Sequence, residues 1–131
     1  VFTTHLAHRS EAELTRTTQV SEIKQHVGFR GRDSIPAIIV GDFNATPDTP
    51  SIRNAVTADS AGSWIDAFAA VNPDDDDYSY PAEDPNKRID YVFLADPSRL
   101  MPVSARMVFD ETRGEKMLSD HLGVVVDFVK R

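Results

Sequence analysis

The 131-residue sequence has no cysteine, which excludes a disulfide scaffold, a thiolate metal site and a cysteine nucleophile together. Compartment does not follow from that absence. Long apolar runs are missing too: runs such as Val124 to Val126 are far too short to span a bilayer. Basic residues are in deficit, with 14 Lys and Arg against 21 Asp and Glu and a formal net charge of −7. Bulk charge therefore does not favour duplex DNA, because phosphate affinity through counterion release needs a basic face. A local basic patch would escape that average. No Gly-rich phosphate loop and no Ser or Cys nucleophile motif is present. The chain opens on Val1-Phe2-Thr3-Thr4-His5-Leu6, with no initiator Met and no leader. These residues read as a strand in mid-fold, so a fragment of a longer parent is expected, and a signal peptide or anchor upstream would be invisible. What is there is an ordinary globular mixture, 40% hydrophobic and 27% charged, with room for one domain.

The first strand is expected to run to about His5. Ser10 with Glu13 three residues on is a capping-box signature for a helix from near Glu11 to about Val27. Val20, Ile23 and Val27 mark its buried stripe, with Arg16 and Gln19 on or beside it, and Gly28 and Gly31 are expected to end it. Ile35 to Val40 is an apolar, β-branched run that suits a strand buried on both faces. Gly41 and the Pro47–Pro50 stretch punctuate a loop before a short helix over 50–56. Trp64 to Phe68 is a short apolar element of either type. The acidic run Asp74 to Asp77 reads as a solvated loop, because the Gly and distal Glu of a calcium-binding hand are missing. Strand patterning returns at Ile89–Leu94, around Val103–Phe109 and at Leu122–Val129. The pattern predicts an α/β (α+β) domain with a mixed or antiparallel sheet and flanking helices.

Three segments carry candidate chemistry. Gly41-Asp42-Phe43-Asn44 follows the apolar strand directly, and period-two geometry lets Asp42 and Asn44 share one side while Phe43 enters the core. Asp42 could hold a divalent cation or an attacking water, and the Asn44 amide could donate to a phosphate oxygen. In Arg88-Ile89-Asp90-Tyr91-Val92-Phe93 the carboxylate of Asp90 interrupts an apolar alternation and needs a partner, for which a histidine from elsewhere is the natural candidate. Ser119-Asp120-His121 precedes the last strand. Neighbours on a strand face opposite ways, so His121 is expected to pair with a different carboxylate, and Asp120 with a metal or the far side of the histidine. His5 ends the first strand, where it either contacts phosphate or merely caps the strand. His8 and His26 are read as surface residues. Lys87 and Arg88 could meet phosphate, but Arg88 is better read as pairing with a nearby carboxylate. The set asks for hydrolysis by activated water.

Thr4-His5-Leu6, Gly41-Asp42-Phe43-Asn44, Arg88-Ile89-Asp90-Tyr91-Val92-Phe93 and Ser119-Asp120-His121 resemble, in order and nearly end to end, the four C-terminal motifs of the endonuclease/exonuclease/phosphatase superfamily of deoxyribonuclease I-like phosphoesterases. The resemblance implies one half of a four-layered α/β/β/α sandwich. It implies that Asp42 positions water or supports metal, that Asn44 and His5 contact the scissile phosphate, and that Asp90 orients His121 as general base (or, in another scheme, as a phosphate ligand). Asp120 would support the histidine or a second metal site. Mg²⁺ is the implied cofactor, with Mn²⁺ a possible substitute, and a phosphate ester is the implied substrate. The family's main metal-binding glutamate belongs to N-terminal motifs with no counterpart here, and Glu11 and Glu13 are not candidates for it. The chain is therefore expected to need a missing N-terminal half, or to form a homodimer through the apolar sheet face it leaves open. The alternative is a binding module that keeps the fold without catalysis, against which the retention of the whole polar set speaks.

Overall fold

The computed structural model describes residues 1–30, 36–75, 78–95, 99–112 and 116–131. Along the chain run β1 (Phe2–His5), α1 (Glu13–Arg30), β2 (Ala37–Asp42), α2 (Pro50–Val56), β3 (Trp64–Asp66), α3 (Ala67–Val71), β4 (Asp90–Ala95), β5 (Leu100–Val108) and β6 (Gly123–Lys130). Four strands form a mixed sheet in the order β1-β2-β4-β3. β1 and β2 are parallel, which requires a long crossover, and α1 supplies it. The other two pairings are antiparallel. The late strands do not join this sheet: β5 and β6 form a two-stranded ribbon of their own. Asn72 at the end of α3 ties that ribbon down by donating to the Ala105 carbonyl at 3.1 Å.

The core lies between the sheet and the helices. Val20 and Val27 of α1 and Ile52 and Ala55 of α2 are buried against Ile39, Phe43, Trp64, Tyr91 and Phe93. Phe43 meets Phe93 edge-on at 5.0 Å and Tyr91 at 5.5 Å, an arrangement favoured by the ring quadrupoles. Burying rings of this size is worth a few kcal/mol each, so truncating Phe43 to Ala would cost about 3–5 kcal/mol. Among the described residues no helix is long and apolar enough to cross a membrane.

Several local expectations are corrected. The Ser10–Glu13 pair makes no reciprocal cap: the Ser10 hydroxyl bonds Glu11, while Glu13 binds Arg16 and the Ser51 amide, and the helix starts at Glu13. Glu13 is used instead to satisfy an orphan N–H in the first turn of α2, whose Thr49 makes no side-chain cap. Gly28 lies inside α1 rather than at its end, and its lack of a side chain serves packing, since a Cβ there would approach the Ala61 carbonyl oxygen to 2.8 Å. Gly31, Ile35, Asp76 and Asp77 lie outside the described residues, and Asp74 and Asp75 are exposed. β2 is not buried on both faces: Ile39 is buried under the helices while Ile38 and Val40 are only half-buried. β4 is the doubly covered strand, buried from Tyr91 through Leu94, since β6 packs on its far side. The ambiguous 64–68 segment is both things, a strand that turns into a helix at Asp66, whose carboxylate accepts from the Ala69 N–H at 3.2 Å.

Candidate active site

Sheet register builds the site. β1 sets His5 beside Asp42, and β4 sets Asp90 beside Asp42, so three polar residues end in one row across three adjoining strands. Gly41 lets those strands close up: its φ is +145°, and a Cβ would collide with the Thr4 carbonyl. β2 then stops at Asp42. The strand does not continue to Asn44, which turns left-handed at φ 50°, a conformation Asn tolerates. The turn closes on itself, with the Asn44 N–H donating to Asp42 Oδ1 at 2.7 Å and Asn44 Nδ2 to Asp42 Oδ2 at 3.1 Å. Asn44 Nδ2 also donates to the Leu6 carbonyl at 3.1 Å, which fastens the end of β1. Asp42 and Asn44 thus share a side through a turn rather than through strand pleating, while Phe43 enters the core as expected.

His121 comes to this row from the far end of the chain. Its Nδ1 lies 2.8 Å from Asp90 Oδ2. An ionised carboxylate only accepts, so Nδ1 carries the hydrogen and Nε2 of the neutral ring is the basic nitrogen. Nε2 is 3.9 Å from Asp42 Oδ2, and His5 Nε2 is 3.4 Å from the same oxygen. Burial disfavours charge on the His121 ring, but the bond to Asp90 and the charges of Asp90, Asp42 and Asp120 outweigh it, and the pKa is raised. Burial also raises the Asp42 carboxyl, against the Asn44 N–H bond, and the charge of Asp90 pushes it further.

These groups open on a cleft of about 940 Å³. His5, Asp42, Asn44, Asp90, Asp120 and His121 all line it, so the structure brings every candidate residue together. Asp120 sits exposed at the rim. It is not in the group whose ligand atoms lie within 4.8 Å of one another, which among the described residues is Asp42, Asp90 and His121. Arg88 is withdrawn from the cleft, paired with Asp66 at 2.7 Å and stacked 4.9 Å over Tyr91. Lys87 remains exposed and lines the cleft. His26 is a surface residue with an edge contact to Phe2, but His8, exposed as expected, also lines the rim. Sequence reasoning took Tyr78-Ser79-Tyr80-Pro81 only as part of a loop that resembles the one before the Ile-Asp-Tyr motif of small bacterial family members, and assigned Ser79 and Tyr80 no role. The Tyr80 ring lies 4.8 Å from that of His121, and nothing in the local pattern beyond an aromatic-rich stretch before Pro81 marks it.

The chain matches the family model described as Endonuclease/Exonuclease/phosphatase family over residues 3–121. No curated protein matches it. Among solved structures, the human Nocturnin catalytic domain with bound sulfate is 25% identical with a TM-score of 0.78, over 98% of this chain and 46% of that one. The mannosyl-6-phosphatase of Bacteroides thetaiotaomicron is 23% identical with a TM-score of 0.79, over 97% and 49%. TDP2 of D. rerio, complexed with a single-strand DNA product, is 18% identical with a TM-score of 0.79, over 97% and 54%. The last two similarities concern the fold. This chain spans about half the length of the structures it matches. With 119 consecutive positions from residue 3 to 121 under one family model, the chain belongs to the endonuclease/exonuclease/phosphatase family.

Proposed function

We propose that this protein hydrolyses phosphate esters, phosphodiester or phosphomonoester, by attack of a water that His121 deprotonates. The observation that carries this reading is the 2.8 Å Asp90–His121 pair set beside Asp42 and Asn44 in one cleft. Asp90 holds the ring in the tautomer that leaves Nε2 basic. His121 takes the proton of the attacking water, and Asp42 orients that water from the neighbouring strand. Asn44 and His5 bind phosphate oxygens. In the structure Asn44 spends its amide on Asp42 and Leu6, so substrate takes one of those hydrogens over.

A divalent cation fits this donor set. Asp42 and Asp90 crowd negative charge that burial penalises, and oxygen ligands suit a hard ion such as Mg²⁺ or Mn²⁺. Asp42 would hold it from the cleft floor, with the Asp90 carboxylate within 4.8 Å, and Asp120 at the rim would support the histidine or a second metal site. When bound, the ion supplies Lewis-acid stabilisation of charge on the phosphoryl oxygens. The remaining metal ligand and the other wall of the cleft come from a further half of the domain, or the open apolar face pairs with a second copy. Half-buried Ile38 and Val40 on the sheet and exposed Met101, Val103 and Val129 on the ribbon support that reading. The test is a panel of phosphodiesters and phosphomonoesters offered to the full-length protein with Mg²⁺, with Mn²⁺ and with chelator. Cation-dependent release of product from at least one class is expected, and no turnover of any class would refute the reading.

A further inference from the structure

Asp90 and His121 lie 31 positions apart in sequence and on different chain segments, so something must fix one against the other. Ser79 is hydrogen-bonded into both segments, by its side chain to one and by its main chain to the other. Ser79 is completely buried. Its Oγ accepts from the backbone N–H of Ile89 and from that of Asp90, both at 3.2 Å. Its carbonyl accepts from the Leu122 N–H at 2.8 Å, next to His121. Its own N–H donates to the Lys87 carbonyl at 2.9 Å, within a small hairpin in which Tyr80 and Lys87 bridge. The same hairpin grips the histidine segment twice more, through the Ala82 N–H donating to Asp120 O at 2.8 Å and through the Tyr80 ring against His121.

The sheet explains why a hydroxyl is needed there. β3 pairs with β4 only from Ala95 back to Phe93, so at its Asp90 end β4 has no strand partner on that side. The Ser79 Oγ stands where a ladder carbonyl would be, and an amide that is taken from water must find an acceptor. We propose that Ser79 is the positioning residue of the Asp90–His121 pair: its side chain sets the backbone of Asp90 while its main chain sets that of His121. This rests on the phosphoesterase reading only for its kinetic consequence. A misplacement on the order of 1 Å costs up to about a hundredfold in rate.

Ser79→Ala in the full-length protein tests this, with Ser79→Cys as a partner variant that fills the position with a larger but only weakly accepting sulfur. The expected result is a kcat lowered roughly ten- to a hundredfold with KM within about twofold of wild type. In a His121→Ala background neither replacement should lower the residual rate further. An unchanged kcat in Ser79→Cys, or a loss that persists undiminished without His121, would overturn the proposal. If the wild type turns over no phosphate ester, the phosphoesterase reading fails while Ser79 is still judged by NMR. The downfield signal of the His121 Nδ1 proton should then be present in wild type and lost in the variants, and its survival in both variants overturns the assignment.

Discussion

Asp42 and Asp90 stand in register on neighbouring strands, and that adjacency governs the behaviour of the single residues of the site. The Asp42 carboxyl and the His121 ring share one small space, and the charge of each bears on the proton held by the other. The bond to Asp90 is the largest of the influences that lift His121, with burial opposing it. A ring whose pKa is raised in the folded state contributes stability that is full below its unfolded pKa and is lost as pH rises through the folded one. In an NMR titration of the metal-free protein, His121 should therefore lose its proton above the ordinary histidine value. Asp90→Asn should move that titration downward, and an unmoved titration would show that Asp90 does not hold the ring. At this scale the sequence was informative. An aspartate interrupting an apolar strand demands a partner, and a histidine that cannot face its own neighbour Asp120 must find another carboxylate. The turn that brings Asn44 onto Asp42 was not legible, because Asp and Asn occur in many turns and only the pairing with β1 selects this one.

Among the elements, α1 does more than cross between parallel strands. Its first-turn residues Glu13 and Arg16 tie three segments together. Arg16, buried, donates to the carbonyls of Ala7 and Arg9 at 2.9 and 2.8 Å, which fixes the loop that carries His8 to the cleft rim. Glu13 accepts from the Ser51 N–H of α2 at 2.7 Å. Burial raises the Glu13 carboxyl, but the Ser51 and Arg16 bonds outweigh it and the net shift is downward. Its stabilisation is thus present above the unfolded value near 4.5 and is lost as pH falls through the lower folded value. Glu13→Ala should cost about 1 kcal/mol, the usual worth of a lost N-terminal helix partner, in chemical denaturation at neutral pH. The cost should shrink toward zero in strong acid; a penalty independent of pH would assign it to packing instead. The helix itself was readable from its apolar spacing, but its cap was not. Ser-x-x-Glu is a local pattern, and the glutamate was claimed by a helix 38 residues away.

For the whole molecule the informative quantity is surface. The chain exposes 8089 Å², against roughly 6,900 Å² for a compact monomer of this mass. With the apolar positions left open on the sheet and ribbon, the excess suits a body that closes against another. Sedimentation of the 131-residue chain should show self-association or strong binding of a hydrophobic dye, both relieved when the rest of the domain is supplied. A monomer that binds no dye would contradict this. The helix α1 was legible from its apolar spacing and the strands β2 and β4 from short apolar runs, while the 64–68 segment was not assigned to either type. The separate β5–β6 ribbon was not, since strand patterning does not say which strands pair.

The central claim is that His121, held by Asp90, is the base for water attack on a phosphate ester. Its most direct test is the kcat of His121→Ala beside wild type, in the full-length protein at saturating Mg²⁺ on whichever phosphate ester the panel shows to be turned over. Loss of a general base lowers kcat by about 10²- to 10⁴-fold, and that is the result expected, with KM little changed. A variant that retains the wild-type kcat would contradict the account.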